Sequence, residues 1–304
     1  MSSGVTGLKS FEKVREDLNK VGKGFCLAKW NQVSILLQTG QTHSCHHPTP
    51  HHIPLDEIKN NPSALHNTKF KKAQRKTMLK GGRPAECDYC WNVEDSNTDS
   101  FSDRVLKSGE SWAHPHLKDI KKMTGDEDVF PPYVEISFSN QCNMACAYCD
   151  VKSSSKWQHE IKTQGHYPTS GMYNNTEWLE RDRSLPIPYS KPNPYRDAFW
   201  KWWPDLFPNL HTFRITGGEP LLHNDTFKVL DYIIENPTFN PNIELCINSN
   251  LSVPNERWEE FVDKVKYITD NDLVCNFVLF TSIEAEGKQA EYIRDGLDSK
   301  LLWS

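Results

Sequence analysis

Three cysteines, Cys142, Cys146 and Cys149, follow one another at spacings of four and three residues. They come shortly after residues 133–138, whose alternating apolar pattern predicts a β-strand. The loop that leaves this strand would present three thiols within one or two turns. Converging thiolates suit a soft metal centre, and cysteine-rich runs of this kind hold iron–sulfur clusters. A four-iron cluster held by three cysteines keeps one iron open, whereas structural zinc usually takes four protein ligands.

A second motif, Gly217-Gly218-Glu219-Pro220, follows the predicted strand at residues 212–216. Glycines let a ligand approach the backbone closely, and the proline ends the turn. Alone, this motif is a weak indication of a binding site. It is a strong one here, because it lies at the end of the strand that follows the three-cysteine loop. Together, the Cys-x-x-x-Cys-x-Tyr-Cys spacing and the Gly-Gly-Glu-Pro motif resemble the radical S-adenosylmethionine (SAM) superfamily.

This resemblance implies that the three cysteines hold a [4Fe-4S] cluster whose open iron is chelated by SAM. One electron from the cluster would cleave SAM to methionine and a 5′-deoxyadenosyl radical, which abstracts hydrogen from a peptide or small-molecule substrate. In this reading Tyr148 lies near the adenine, Glu219 near the amino group, and Arg294, in the helix after the fourth strand, near the carboxylate. The residues assigned to SAM by the resemblance are Tyr148, Gly217, Gly218, Glu219, Asn248, Ser282 and Arg294. No catalytic side chain is assigned.

Four further cysteines, Cys26, Cys45, Cys87 and Cys90, lie nearer the N-terminus. With Gly40 their order resembles the twitch and SPASM modules that hold auxiliary clusters in radical SAM enzymes, although those modules usually follow the core. The resemblance implies a second [4Fe-4S] cluster. Structural zinc is the alternative, because four cysteines that include a Cys-x-x-Cys pair often bind it. The histidines of residues 43–52 are interpreted as solvated or supporting side chains rather than ligands.

Strand and helix patterns alternate after residue 131, which predicts a parallel sheet. We count four strands, ending near Cys142, Thr216, Asn248 and Ser282, and active sites of parallel α/β barrels lie at such ends. The expected fold is therefore α/β: a partial parallel (β/α) barrel of the radical SAM type with about four β/α units. Residues 131–304 would form this core, and residues 1–130 a small irregular Cys-rich domain with a connector.

Composition excludes several classes of protein. The 304 residues carry a net charge of -5, which offers no basic face for nucleic acid and no polybasic membrane anchor. We find neither an export signal nor a run long enough to span a membrane, so we expect a cytoplasmic chain with reduced cysteines.

Cys246 and Cys275 are interpreted as buried strand residues. Residues 164–194 are interpreted as an irregular insertion, either an active-site lid or a surface excursion.

The expected partners are a flavodoxin- or ferredoxin-like electron donor and a peptide or small-molecule substrate. Relatives usually have six strand–helix units, so a partner chain or a second copy is expected to complete the four-stranded core. The alternative function is a non-catalytic zinc- or iron–sulfur-binding module on a degenerate barrel.

Overall fold

The computed structural model describes residues 8–96, 99–168 and 174–299. Its strands are β1 (Gln32–Leu36), β2 (Gln41–His43), β3 (His51–His52), β4 (Tyr133–Ser137), β5 (Ala145–Cys146), β6 (Thr212–Thr216), β7 (Glu244–Ser249), β8 (Asn276–Thr281) and β9 (Arg294–Asp295).

Its α-helices are α1 (Leu8–Asn19), α2 (Ala28–Asn31), α3 (Leu55–Asn60), α4 (Lys69–Leu79), α5 (Asp88–Ser96), α6 (Asp103–Ser108), α7 (Leu117–Ile120), α8 (Ser155–Gln164), α9 (Thr176–Arg181), α10 (Pro194–Leu206), α11 (Asn224–Glu235), α12 (Asn255–Asp270) and α13 (Gly287–Ile293). Short 3₁₀ helices cover Pro62–Leu65, Ala85–Cys87, His114–His116, Phe207–Asn209 and Pro220–Leu222.

Seven of the strands form a sheet in the order β3-β2-β1-β4-β6-β7-β8. The sheet is mostly parallel, which confirms the predicted α/β class. β7 and β8 run parallel, with Ser249 opposite Thr281 at their carboxyl ends. β5 and β9 form a separate antiparallel pair, in which Cys146 stands opposite Arg294.

The described residues divide into two compact units. The first unit is drawn from residues 1–35, 42–134 and 198–212, and the second from residues 36–41, 135–197 and 213–304. The domain boundary predicted at residue 131 stays a prediction. In the structure, the chain passes from the first unit to the second between Val134 and Glu135.

The second unit is built from β-strands that alternate with amphipathic helices. In β6, Phe213 and Ile215 are fully buried, as the period of two in a strand requires. In α11, Phe227, Leu230 and Ile233 recur at a spacing of three and are all buried. This apolar stripe drives the helix into the core, because a helix stabilises itself chiefly by burying such a face.

The first unit has its own apolar core, in which Phe25 and Trp30 lie 5.4 Å apart between ring centroids. It also buries several cations. The guanidinium of Arg75 donates to the Asn67 side chain at 2.9 Å and to the Lys29 carbonyl oxygen at 3.2 Å. A buried cation without partners is costly, and these bonds offset part of that cost.

Two details correct the expectations from sequence. Arg294 does not lie in the helix after the fourth strand: that helix, α13, ends at Ile293, and Arg294 lies in β9. Cys275 is exposed and precedes β8, whereas Cys246 is buried in β7 as expected. The predicted insertion at 164–194 contains the short helix α9, and its residues 169–173 lie outside the described residues.

None of the described helices combines the length and apolar character that crossing a bilayer requires.

Buried His223 is expected to make stability depend on pH. Its side chain is fully buried, Tyr189 stacks on it at 5.7 Å, and Asp225 and Arg196 are the charged groups beside it. Burial lowers the pKa of His223 to about 4, from 6.5 in an unfolded chain. The unfolded state therefore binds the proton first as the pH falls, and stability is lost between about pH 6.5 and 4.

We expect the His223→Gln variant to lose less stability than the unmodified protein between pH 7 and pH 4.5, by up to about 3 kcal/mol. Urea unfolding at both pH values measures this difference, with His52→Gln at an exposed histidine as the control. Equal losses in the unmodified protein and in His223→Gln would contradict the assignment.

Candidate functional site

The three-cysteine loop is held by the start of α8. Ser154, the N-cap residue, accepts a hydrogen bond from the Trp157 amide at 3.2 Å and donates to the Met144 carbonyl oxygen at 2.6 Å. The Trp157 indole N–H donates to the Cys146 carbonyl oxygen at 2.8 Å. These bonds connect the backbone of the cysteine loop to the N-terminus of α8. They therefore restrict the positions that the three thiols can take.

Hydrogen-bond donors lie close to the thiols of Cys142 and Cys146. The Cys142 sulfur lies 3.5 Å from the Met144 amide nitrogen and 3.9 Å from Nδ2 of Asn250. The Cys146 sulfur lies 3.5 Å from Nη1 of Arg294. Burial raises the pKa of all three thiols, that of Cys149 to about 12. A metal that displaces the protons would find N–H groups ready to stabilise the thiolates at Cys142 and Cys146.

The Gly-Gly-Glu-Pro turn packs directly against the start of the cysteine loop. Gly217 has a φ of +112°, and a Cβ there would lie 2.4 Å from the Ser137 hydroxyl oxygen. A Cβ on Gly218 would lie 2.2 Å from the Gln141 carbonyl oxygen. Both positions therefore require glycine, the first for its backbone angle and both for close approach.

Glu219 is fully buried and accepts hydrogen bonds on both carboxylate oxygens. Oε1 accepts from the Leu221 amide at 3.0 Å and from the Ser249 hydroxyl at 2.7 Å, and Oε2 accepts from the Asn250 amide at 2.6 Å. Burial raises the pKa of Glu219, while these three bonds act in the opposite direction. The carboxylate thus joins the turn after β6 to the end of β7.

These elements enclose one cavity of about 180 Å³. The residues lining it are Cys142, Met144, Cys146, Tyr148, Cys149, Ser153, Thr216, Gly217, Gly218, Glu219, Asn248, Ser249, Asn250, Ser282 and Arg294. All three loop cysteines and every residue assigned to SAM from sequence are among them. The carboxyl ends of parallel strands meet at one edge of a sheet, which explains why motifs far apart in sequence converge here.

Arg294 and Tyr148 both contact a residue that the sequence reading did not single out for the site, Glu284. The Arg294 guanidinium forms a two-pronged ion pair with the Glu284 carboxylate, with Nε 2.5 Å from Oε2. The Tyr148 hydroxyl donates to Glu284 Oε1 at 2.8 Å, and the guanidinium lies 5.4 Å from the Tyr148 ring centroid. The predicted partner of Arg294, the SAM carboxylate, would have to share or replace this contact.

The four N-terminal cysteines line a separate, smaller cavity of about 20 Å³ in the first unit. Its walls also carry Lys29 and Arg104, both almost fully buried. Lys29 Nζ lies 2.5 Å from Glu86 Oε1, and Arg104 bonds both oxygens of Glu94 at 2.8 Å. Buried cations beside thiols suit an anionic metal–thiolate centre, since they offset its charge.

Burial also raises the pKa of these thiols, to about 11 for Cys45 and about 12 for Cys87 and Cys90. Among the described residues no three cysteine sulfurs lie within 4.8 Å of one another. Sulfurs around tetrahedral zinc stand about 3.8 Å apart, given Zn–S bonds of about 2.3 Å. A zinc ion would therefore have to draw the thiols together. The cavity between them has room for about one water molecule.

The sequence reading overlooked Ser249 and Asn250 as functional residues. Both residues follow Asn248 at the end of β7. A run of polar residues at the end of a strand is the sequence signal that could have indicated them. Asn248 itself accepts from Nε of Arg214 at 2.9 Å. The bonds of Ser249 and Asn250 to Glu219 cross between neighbouring strands, and sequence alone does not specify such pairs.

Compared with protein-family models, with curated proteins and with solved structures, the chain gives no match. Its function is therefore inferred from its residues and their geometry.

Replacing Ser154 is expected to loosen the cysteine loop. Ser154→Ala removes both the helix cap and the bond to the Met144 carbonyl, which should lower the free energy of unfolding by about 1–2 kcal/mol. Thr163→Ala, at the exposed end of the same helix, is the matched control and should change stability by less than about 0.5 kcal/mol. Urea unfolding measures both variants, and equal effects would contradict the proposed role of Ser154.

Proposed function

We propose that this protein is a radical SAM enzyme whose SAM-binding [4Fe-4S] cluster is held by Cys142, Cys146 and Cys149. One observation carries the proposal. The three loop cysteines, the Gly217-Gly218 turn and the polar ends of β7 and β8 line the same cavity. In this proposal the mostly parallel sheet is part of a (β/α) barrel of the radical SAM type.

When bound, the cluster and SAM would supply radical chemistry for the abstraction of hydrogen from the substrate. The protein's own residues bind and orient. Asn250 and the Met144 amide stabilise negative charge at the Cys142 sulfur, and the Arg294 guanidinium does so at Cys146. Gly217 and Gly218 let their turn pack against the start of the cysteine loop, which brings the two motifs to the same cavity.

Glu284 has a defined role in this proposal. The cavity of about 180 Å³ is smaller than the usual ligand pockets of roughly 300–1,000 Å³. The side chains of Tyr148, Glu284 and Arg294 are bonded to one another beside it. If this contact opened, the Arg294 guanidinium would become available to the carboxylate of SAM. Tyr148, which is 59% exposed, would become available to the adenine.

The four N-terminal cysteines would hold an auxiliary [4Fe-4S] cluster, in the manner of a twitch or SPASM segment. The fit rests on donor chemistry, since four thiols share one cavity wall with Lys29 and Arg104. The proposed substrate is a peptide or small molecule, and the proposed reductant is a flavodoxin- or ferredoxin-like protein. The alternative, a non-catalytic zinc- or iron–sulfur-binding module, keeps the same cysteines but predicts no SAM cleavage.

The SAM-binding cluster makes a spectroscopic prediction. Adding SAM to the reduced, anaerobically reconstituted protein should change its electron paramagnetic resonance spectrum, because the open iron gains ligands. Cys146→Ala should abolish this change and also the formation of 5′-deoxyadenosine with dithionite. Cys275→Ala, at an exposed cysteine outside the cavity, is the matched control. A SAM response that survives in Cys146→Ala would refute the assignment.

The auxiliary cluster makes a separate prediction about metal content. The fully loaded protein should contain about eight irons, from two four-iron clusters. The Cys87→Ala/Cys90→Ala double variant should fall to about four and keep its spectral response to SAM. Iron, sulfide and zinc analysis measures this outcome. About four irons in the unmodified protein, with zinc in place of the rest, would show that the N-terminal cysteines form a structural zinc site.

A further inference from the structure

A cluster of metal-ligating side chains lies at the edge of the N-terminal cysteine cavity. His47 Nε2 is 2.8 Å and His46 Nε2 is 3.1 Å from the same atom, Asp103 Oδ2. The three ligand atoms all lie within 4.8 Å of one another. Ligands of a tetrahedral ion with bonds of about 2.1 Å stand about 3.4 Å apart, so only small movements would close a metal site.

Aromatic contacts hold the histidine rings in this arrangement. The His47 ring is stacked on Tyr89 at a centroid distance of 3.7 Å, with an angle of 15° between the planes. The His46 ring lies against His47 at 4.1 Å. Asp103 opens α6, so its carboxylate is placed by a helix. Ring stacking and a helix terminus together limit the motion of at least two of the three ligands.

From this geometry we infer that His46, His47 and Asp103 bind a divalent transition-metal ion of the Zn²⁺ type, separately from the cysteines. Imidazole nitrogens and a carboxylate oxygen are suitable ligands for such ions. The His46 side chain is 60% exposed, and those of His47 and Asp103 are 15% and 24% exposed. The ion would therefore keep a face open to water or to an exogenous ligand, as ions with three protein ligands do.

The affinity is expected to be modest. The site contributes a single carboxylate, and the ammonium of Lys107 lies close enough to His46 to act on it electrostatically. A cation beside the site opposes a second positive charge. The ion should therefore be removed by a chelator that leaves the cysteine-bound metal in place. The competing explanation is that both imidazole N–H groups only donate hydrogen bonds to Asp103.

Cobalt(II) separates these explanations. Protein without an affinity tag, with its cysteine centres loaded anaerobically, is titrated with Co²⁺. We expect one additional Co²⁺ per chain, with a ligand-field spectrum of nitrogen and oxygen ligands and no thiolate charge-transfer band. The additional ion should be absent in His46→Ala and in Asp103→Asn, and present in His52→Ala, which alters an exposed histidine outside the cluster.

Each other outcome overturns the inference. Binding that persists in both His46→Ala and Asp103→Asn places the ion elsewhere, and a thiolate band places it on cysteine. No additional binding in the unmodified protein shows that the histidines only donate hydrogen bonds. His46 is exposed, so its replacement should preserve the fold, which an unchanged midpoint of urea unfolding verifies. The inference is independent of the proposed function, since iron and sulfide report on the cysteines and cobalt reports on the histidines.

Discussion

The buried carboxylate of Glu219 is the interaction on which the candidate site depends. A buried carboxylate is costly unless its oxygens are bonded, and the Leu221 amide, the Ser249 hydroxyl and the Asn250 amide satisfy them. Those bonds join the Gly-Gly-Glu-Pro turn to the end of β7. Asn250 then reaches the Cys142 sulfur through its own side chain. The position of the cysteine loop is therefore coupled to two strand ends through one buried acid.

Each set of cysteines lies in its own unit, and each has beside it a cation that is paired with a glutamate. Arg294 is directed at Cys146 while Glu284 neutralises part of its charge. Lys29, bonded to Glu86, lines the N-terminal cavity in a comparable way. A cation that is paired but still close to sulfur stabilises a thiolate without remaining an uncompensated buried charge. Burial nevertheless has the larger effect, and the pKa of the thiols in both sets is raised.

Much of the second unit follows from local patterns in the sequence. Alternating apolar residues predict β4, β6 and β7, and the stripe of Phe227 and Leu230 predicts α11, because strand and helix periods differ. The strand-end positions of the cysteine loop and of Gly217-Gly218 follow from the same patterns. Their convergence in one cavity is then a consequence of parallel strands ending at a common edge.

Only the tertiary structure decided which side chains contact one another across these elements. The bonds of Glu219 to the end of β7, and of Glu284 to Arg294, join residues whose partners depend on strand register and loop path. Sequence periodicity does not encode this information. For the same reason the convergence of two adjacent histidines on Asp103, 56 residues away from His47, could not be predicted. The sequence by itself determined the residue types available for metal chemistry, and packing determined which of them meet.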